Sequence, residues 1–229
     1  MELKNYMYLA LIMVSIAVPL LKSFDKSMPL GKNLKYILPA VILTSAFFLI
    51  WDINFTHARI WTFNSAYTLG KDIKGLPIEE WLFFPIALYS SIFVYEWVKG
   101  KMTTHDYTKP LLALSLVLIV GFALISYFYR PQIYTFTVFL FSSVYLAYAV
   151  FRNLLKQHIT GFYLSYVFLL IPFLVLYGTF TSLPLIEYHP AHILKIKILH
   201  IPIEDFVFFF LMLLMVTTLY EFLKHRKFY

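Results

Sequence analysis

The chain contains no cysteine, which excludes disulfides, thiolate metal sites and cysteine nucleophiles together. Charged residues are also scarce: they make up 14% of the 229 residues, against about 25% in soluble proteins. A glycine-rich phosphate loop, a dinucleotide-binding fingerprint and an aspartate-rich Mg²⁺ site are all missing. These absences argue against nicotinamide or flavin enzymes of Rossmann type and against a Mg²⁺-dependent membrane prenyltransferase.

The residues that are present are mainly apolar, at 61% of the chain, which is typical of a membrane protein. Seven apolar runs are long enough to be spanning helices, at about 6–21, 36–53, 78–98, 110–129, 133–151, 161–180 and 201–223. No A-x-A-like cleavage site follows the first run, so we expect it to be retained as a span. The sequence therefore predicts a single all-α integral membrane domain over 1–229, with about seven transmembrane helices.

The net charge of +7 does not indicate nucleic-acid binding, because the basic residues lie between apolar runs and form no continuous patch. Lipid headgroups are the simpler partner. If every run spans, twelve Lys and Arg residues fall on one side of the membrane and seven on the other. The positive-inside rule then predicts a multi-pass protein of the cell membrane, with its N-terminus outside and its C-terminus in the cytoplasm.

A short acidic motif occurs twice, 125 positions apart, as Pro-Ile-Glu-Glu at 77–80 and Pro-Ile-Glu-Asp at 202–205. Each copy opens an apolar run that closes with Tyr-Glu, and the two 21-residue stretches agree at eight positions. This duplication predicts two three-helix repeats, 1–100 and 130–224, joined by a connector helix at 108–129. Because one extra span separates them, the repeats are expected to be parallel. Transporters also use internal repeats, so the duplication alone does not choose a function.

The acids of the motif, Glu79, Glu80, Glu204 and Asp205, have two interpretations. Acids after a proline suit the positive end of a helix dipole, so capping is the simpler one. However, only 15 uncharged residues follow each acid pair, a length of roughly 22 Å against a hydrocarbon core of about 30 Å. Acids drawn to that depth tend to be functional. All four are candidate catalytic residues, as general acid, base and counter-charge, with Glu79 and Glu204 as first candidates.

If the acids are catalytic, Glu79→Gln or Glu204→Gln should abolish enzymatic activity while the chain still inserts into the membrane. Full activity in both variants would favour capping.

Aromatic side chains near the motifs could stabilise a carbocation, although packing is their commoner role. The candidate substrate-binding residues are Trp51, Asp52, Trp61, Asn64, Trp81, Phe83, Phe84, Phe206, Phe208 and Phe209. Asp52 has no acidic counterpart in the second repeat, and a solvated position remains an equal alternative for it.

Three histidines, His189, His192 and His200, share the loop before the second motif. A single H-x-x-H is weak support for a metal, and the dense histidine boxes of membrane di-iron oxygenases are missing. We therefore expect surface histidines, no metal and no cofactor. At the far ends of the two repeated runs, Glu96 and Glu221 are expected to pair with nearby lysines.

Taken together, the doubled Pro-x-Glu-(Glu/Asp) motif with its aromatic tail, the Trp51-Asp52 segment and the Trp-Thr-Phe-Asn stretch at 61–64 resemble the integral-membrane lycopene cyclase domain. That family occurs as two small subunits in some bacteria and as a fused chain in others. The resemblance covers most of this chain and implies the fused form. It implies a lycopene β-cyclase, an intramolecular lyase or isomerase that cyclises the ends of lycopene to β-carotene by protonation, without redox change and without flavin.

The resemblance implies lycopene from the bilayer as substrate partner, besides membrane lipids, and other enzymes of carotenoid synthesis are further candidate partners. Three rival functions stay open: a carotenoid hydratase, a cyclase of a longer carotenoid, and a proton-coupled membrane carrier. The residues also leave open whether one or both ends are cyclised, whether the ring is the β isomer, and the oligomeric state. Whether the two motif copies build one site or two is a question for the structure.

Overall fold

A computed structural model describes residues 3–23, 30–102 and 107–225. Within these ranges seven helices are long and apolar enough to cross a membrane. They are α1 (Met7–Ser23, preceded by a 3₁₀ turn at Leu3–Tyr6), α2 (Leu30–His57), α3 (Ile78–Lys101), α4 (Thr108–Phe128), α5 (Ile133–Phe151), α6 (Ile159–Ser182) and α7 (Ile203–His225). The predicted all-α multi-pass architecture is confirmed.

The helices form two parallel repeats, α1–α3 and α5–α7, with α4 as connector packed against α5. In each repeat the first helix packs on the third. The repeats also interlock, because α2 packs against α7 and α6 packs against α3. Since α3 and α7 run in the same direction, both acidic motifs lie at one end of the bundle. We call this the acidic end, where α3 and α7 begin, and the opposite end, where they finish, the basic end.

Short strands organise the loops of the acidic end. They are β1 (Trp61–Phe63), β2 (Asp72–Ile73), β3 (Leu76–Pro77), β4 (Ile186–Tyr188), β5 (Lys197–Ile198) and β6 (Ile201–Pro202), and a 3₁₀ turn covers Ser65–Tyr67. The hairpins β2–β3 and β5–β6 lead directly into α3 and α7. Strands β1 and β4 pair antiparallel, with Trp61 opposite Tyr188. This pairing ties the loop of one repeat to that of the other and closes the acidic end.

At the basic end the repeats exchange side-chain contacts. The Tyr95 hydroxyl donates to Glu221 at 2.7 Å, and Lys99 also bonds to that carboxylate. In the equivalent arrangement Lys224 Nζ lies 3.0 Å from Glu96 Oε1, which also accepts from the Tyr220 hydroxyl. The expected pairing of both glutamates with lysines is thus present, and each lysine comes from the opposite repeat. These crossed contacts join α3 to α7.

Candidate active site

Three carboxyl side chains from the two repeats line one small cavity at the acidic end, with a volume of about 30 Å³. Asp52 on α2 and Glu80 on α3 belong to the first repeat, and Asp205 on α7 belongs to the second. Their exposed fractions are only 2%, 3% and 2%. Among the described residues no lysine or arginine lines the cavity. The two motif copies therefore meet in one shared cavity, in which buried acids must be satisfied by protons and hydrogen bonds.

Asp52 and Glu80 form a carboxyl pair. Asp52 Oδ1 accepts from Trp61 Nε1 at 2.7 Å, and Glu80 Oε1 accepts from the hydroxyl of Tyr8 on α1. Asp52 Oδ2 has no hydroxyl, amide or amine donor among the described residues, but the Glu80 carboxyl lies within hydrogen-bonding reach of Asp52. Two carboxyl groups can share a hydrogen bond only when one of them carries a proton. The geometry thus suits a pair that holds one proton.

Asp205 has different partners, because both of its oxygens accept from tyrosine hydroxyls. Tyr134 on α5 donates to Oδ1 at 2.5 Å, and Tyr188 on β4 donates to Oδ2 at 2.6 Å. Burial and the adjacent Asp205 carboxyl raise the pKa of Tyr188 well above its ordinary value, so its hydroxyl stays protonated and remains a donor. Two donated hydrogen bonds stabilise a carboxylate in its ionised form.

The two halves of the cavity are related by the duplication but are not chemically equal. Tyr8 and Tyr134 lie 126 positions apart, and each donates to the second acid of the motif in its own repeat. Asp52, however, corresponds to Gly178, so only the first repeat supplies a third carboxyl. The second repeat supplies Tyr188 instead. The cavity consequently contains a carboxyl pair on one side and a hydroxyl-bonded carboxylate on the other.

Aromatic rings surround the acids. Phe208, which lines the cavity, has its ring centroid 5.0 Å from that of Phe48 and 5.7 Å from that of Trp51. Phe84 and Trp61 line the same cavity. Electron-rich ring faces attract a cation that lies within about 6 Å of the ring centroid, and the attraction is stronger where water is excluded. Asp52, Trp61, Phe84 and Phe208 are thus brought together, with Trp51 packed directly behind.

A larger apolar cavity of about 490 Å³ lies between α1, α3, α6 and α7 and shares lining residues with the acidic cavity. Tyr177 and Phe208 line both cavities, and Phe83 and Phe209 line the larger one. Its outer rim is formed by exposed apolar side chains of α1 and α6, namely Val14, Val18 and Val175. This arrangement makes a groove that opens sideways between the helices and ends at Tyr177 and Phe208, which also line the acidic cavity.

The remaining candidates lie outside both cavities and have other contacts. Glu79 Oε1 accepts from the backbone N–H of Leu69 at 2.6 Å, and Glu204 Oε1 accepts from that of Leu194, also at 2.6 Å. The first acid of each motif thus anchors the preceding loop. Asn64 caps the 3₁₀ turn, Trp81 donates to the carbonyl of Ile73, and Phe206 packs on Phe173.

Four tyrosines of the site, Tyr8, Tyr134, Tyr177 and Tyr188, were not among the sequence candidates. Extending the duplication into the first and second helices of each repeat pairs Tyr8 with Tyr134 and Trp51 with Tyr177 at an offset of 126. The repeat in the sequence could therefore have indicated Tyr8, Tyr134 and Tyr177. Tyr188 had no such signal, because its position depends on the pairing of β1 with β4.

The lycopene cyclase family model matches the chain over residues 5–98 and 131–223. The chain belongs to the lycopene cyclase family. The two matched segments hold the two repeats and all three cavity carboxyls, and the connector α4 lies between them, as in a fused form. Membership confirms the predicted resemblance and gives this lycopene cyclase family member the role of a carotenoid cyclase, hence of an enzyme. No curated protein and no solved structure matches the chain.

Proposed function

We propose that this lycopene cyclase family member is a lycopene β-cyclase that forms rings by proton-initiated isomerisation. One observation carries the proposal: a carboxyl pair of the first repeat and a hydroxyl-bonded carboxylate of the second share one buried cavity at the end of an apolar groove. Such a cavity supplies an acid, a base and dry aromatic walls. A proton-initiated cyclisation requires these groups and no net redox change.

In the first step, the Asp52–Glu80 pair delivers its shared proton to the terminal double bond of the polyene. The O–H bond breaks, a C–H bond forms, and a tertiary carbocation remains on the substrate. Two neighbouring buried carboxyls cannot both ionise cheaply, so the pair keeps one proton at neutral pH and is ready to donate it when the polyene is bound. Hydrogen bonds from Tyr8 and Trp61 stabilise the negative charge that the pair carries after the transfer.

In the second step, a neighbouring double bond of the same polyene attacks the cation and closes a six-membered ring, which moves the positive charge onto a ring carbon. The faces of Phe208, Phe84 and Trp61 are placed to stabilise this charge. Exclusion of water matters at this point, because water would capture the cation and give a hydroxylated acyclic product.

In the third step, Asp205 removes a proton from the ring and a C=C bond forms. The substrate has then gained one proton and lost one, so the product is an isomer. Asp205 is protonated and the Asp52–Glu80 pair lacks its proton. Because the three carboxyls line the same cavity, the proton can return to the pair without crossing the apolar core. The unequal partners of the two halves support this division between acid and base.

The groove supports lycopene, taken up from the bilayer, as the substrate. Its lining on α3 runs from Phe83 to Val94, a length of about 16 Å along the helix. This length accommodates one arm of a long polyene and leaves the other arm in the lipid. We infer that the ends are cyclised one at a time, with release and reversal of the polyene between the two reactions.

The test is expression in a lycopene-making bacterium, followed by chromatography of the extracted pigments. We expect β-carotene, with some monocyclic intermediate at short times. The matched control is Glu80→Gln combined with Asp205→Asn, expressed at the same level, which should leave lycopene unchanged. A hydroxylated acyclic product would identify a hydratase instead. Unchanged lycopene with well-inserted wild-type protein would refute the proposal, and substrate-dependent proton flux in vesicles would then favour a carrier.

We further infer that the acidic end faces outwards and the basic end faces the cytoplasm, following the distribution of Lys and Arg. The absence of cysteine makes a direct test simple. Single cysteines at the exposed positions Lys71 and Lys156 report on the acidic and basic ends respectively. In intact cells, a membrane-impermeant maleimide should label Lys71→Cys and not Lys156→Cys. The reverse pattern would overturn the orientation.

A further inference from the structure

Two histidines and a buried glutamate meet at the basic end, far from the acidic cavity. His158 precedes α6, whereas Glu221 and His225 lie one turn apart near the end of α7. One ligand atom from each lies within 4.8 Å of the others. The His158 and His225 rings are stacked, with centroids 5.5 Å apart. Because these residues take no part in the proposed cyclisation, their arrangement needs a separate explanation.

The two oxygens of the Glu221 carboxylate have different surroundings. Tyr95 and Lys99 both bond to Oε1. Oε2 has no hydrogen-bond donor among the described residues, although Glu221 is only 2% exposed. It lies within ion-pair distance of two imidazole nitrogens, His158 Nε2 at 3.5 Å and His225 Nε2 at 3.2 Å. A buried carboxylate oxygen is thus fixed by its neighbours and directed at two imidazoles.

The two spacings between the carboxylate oxygen and the imidazole nitrogens fit a shared metal ion. Zinc binds imidazole nitrogen and carboxylate oxygen at about 2.0–2.2 Å in tetrahedral geometry, so two ligand atoms on one ion are about 3.4 Å apart. The two N–O distances, 3.5 and 3.2 Å, lie on either side of that value. Neither nitrogen is aligned for a direct hydrogen bond to Oε2.

The duplication shows that the histidines are special to the second repeat. At the offset of 126 that relates α2 to α6, His158 corresponds to Lys32. At the offset of 125 that relates α3 to α7, His225 corresponds to Gly100 and Glu221 to Glu96. The Tyr-Glu-Lys contacts occur twice, but imidazoles surround only one of the two carboxylates. In the first repeat Glu96 is also more exposed, at 18% of its side chain. The two imidazoles therefore lie beside Glu221, the more buried of the two carboxylates, whose Oε2 has no hydrogen-bond donor among the described residues.

We propose that His158, Glu221 and His225 bind a divalent transition metal ion of the zinc class through two imidazole nitrogens and Glu221 Oε2, with water completing the coordination. The ion links the start of α6 to the end of α7. Through the contacts of Glu221 with Tyr95 and Lys99, it also braces α3. The site is structural in role, because no cavity of the proposed reaction reaches it.

The test uses full-length protein in detergent, stripped with a chelator and reloaded with Zn²⁺. Bound zinc is measured by elemental mass spectrometry, and the thermal unfolding midpoint is measured with and without the ion. We expect one zinc per chain and a higher midpoint with zinc, since an ion that binds only the folded state stabilises it. His225→Ala is the decisive variant, because this side chain is 61% exposed and its loss should not disturb folding.

Loss of a residue that merely orients a ligand weakens metal binding by 10–100-fold, so we expect His225→Ala to weaken zinc binding by about 100-fold or more. The matched control is His200→Asn, which removes an exposed histidine at the acidic end and suits the positive φ of that position. It should bind zinc like the wild type. If the wild type binds no zinc, or if His225→Ala binds it equally well, the metal site is refuted.

Discussion

The Tyr188 hydroxyl is one of two groups that donate to Asp205, and Tyr188→Phe removes it while keeping the ring. Hydrogen bonds to charged groups contribute about 1.5–3 kcal/mol, which is about 10- to 150-fold in a rate or an equilibrium. If Asp205 is the base, losing one donor makes its ionised form less stable. The ring-forming rate at neutral pH should then fall by that factor.

The sign of the pH effect follows from the same reasoning. With one donor missing, Asp205 reaches its ionised form only at higher pH, so the rising part of the rate profile should move upwards by about 1–2 pH units. Raising the pH should therefore restore much of the lost rate. The assay is the initial rate of ring formation from lycopene in lipid vesicles, followed by pigment chromatography across a pH series.

A matched control is Tyr145→Phe, which removes a half-buried hydroxyl that hydrogen-bonds Thr218 at 2.8 Å, away from the acidic cavity. It should leave both the rate and the pH profile unchanged. A wild-type rate and profile in Tyr188→Phe would refute the assignment of Asp205 as base. An equal loss in both variants, with no shift in pH, would show that only packing had been disturbed.

Three further changes have distinct expected outcomes. Because Glu79 anchors the loop before α3 and does not line the cavity, the structure reverses the expectation from the sequence that Glu79→Gln abolishes activity. The variant should lower the unfolding free energy by about 1 kcal/mol in thermal melts yet retain ring formation per folded molecule in pigment analysis. Leu199 and His200 form a two-residue hairpin turn with positive φ, so replacing them by Asn-Gly should stabilise the protein by about 1–2 kcal/mol in denaturant titrations. Ala87→Trp fills the groove on α3 and should raise KM for lycopene without changing the thermal midpoint.

The spans, the duplication and the importance of the acidic motifs follow from the sequence, because apolar length and repeated residues are direct signals. Which acid of each motif enters the cavity and which anchors a loop does not follow from the sequence. Neighbours on a helix point about 100° apart, and here Glu79 anchors a loop whereas Glu80 enters the cavity. On helices that are apolar all round, no pattern tells which neighbour faces inwards.

The structure of the loops at the acidic end also could not be predicted from the sequence. Strands β1 and β4 are three residues each and pair across more than a hundred positions, so no local period indicates them. Yet this pairing sets Tyr188 beside Asp205 and Trp61 beside Asp52. The duplication predicted similar halves, whereas the substitutions between halves, such as Gly178 in place of a second Asp52, make them chemically different.

The central claim is that both repeats contribute to one site, and single-variant rates test it most directly. Glu80→Gln and Asp205→Asn are measured separately and together, as the rate of ring formation per folded molecule. A shared site predicts that each single variant loses about 10²–10⁴-fold and that the double variant is hardly worse, because residues acting as a unit are not additive. Two independent sites would instead leave each single variant with about half the wild-type rate, and only the double variant inactive. That result would contradict the account.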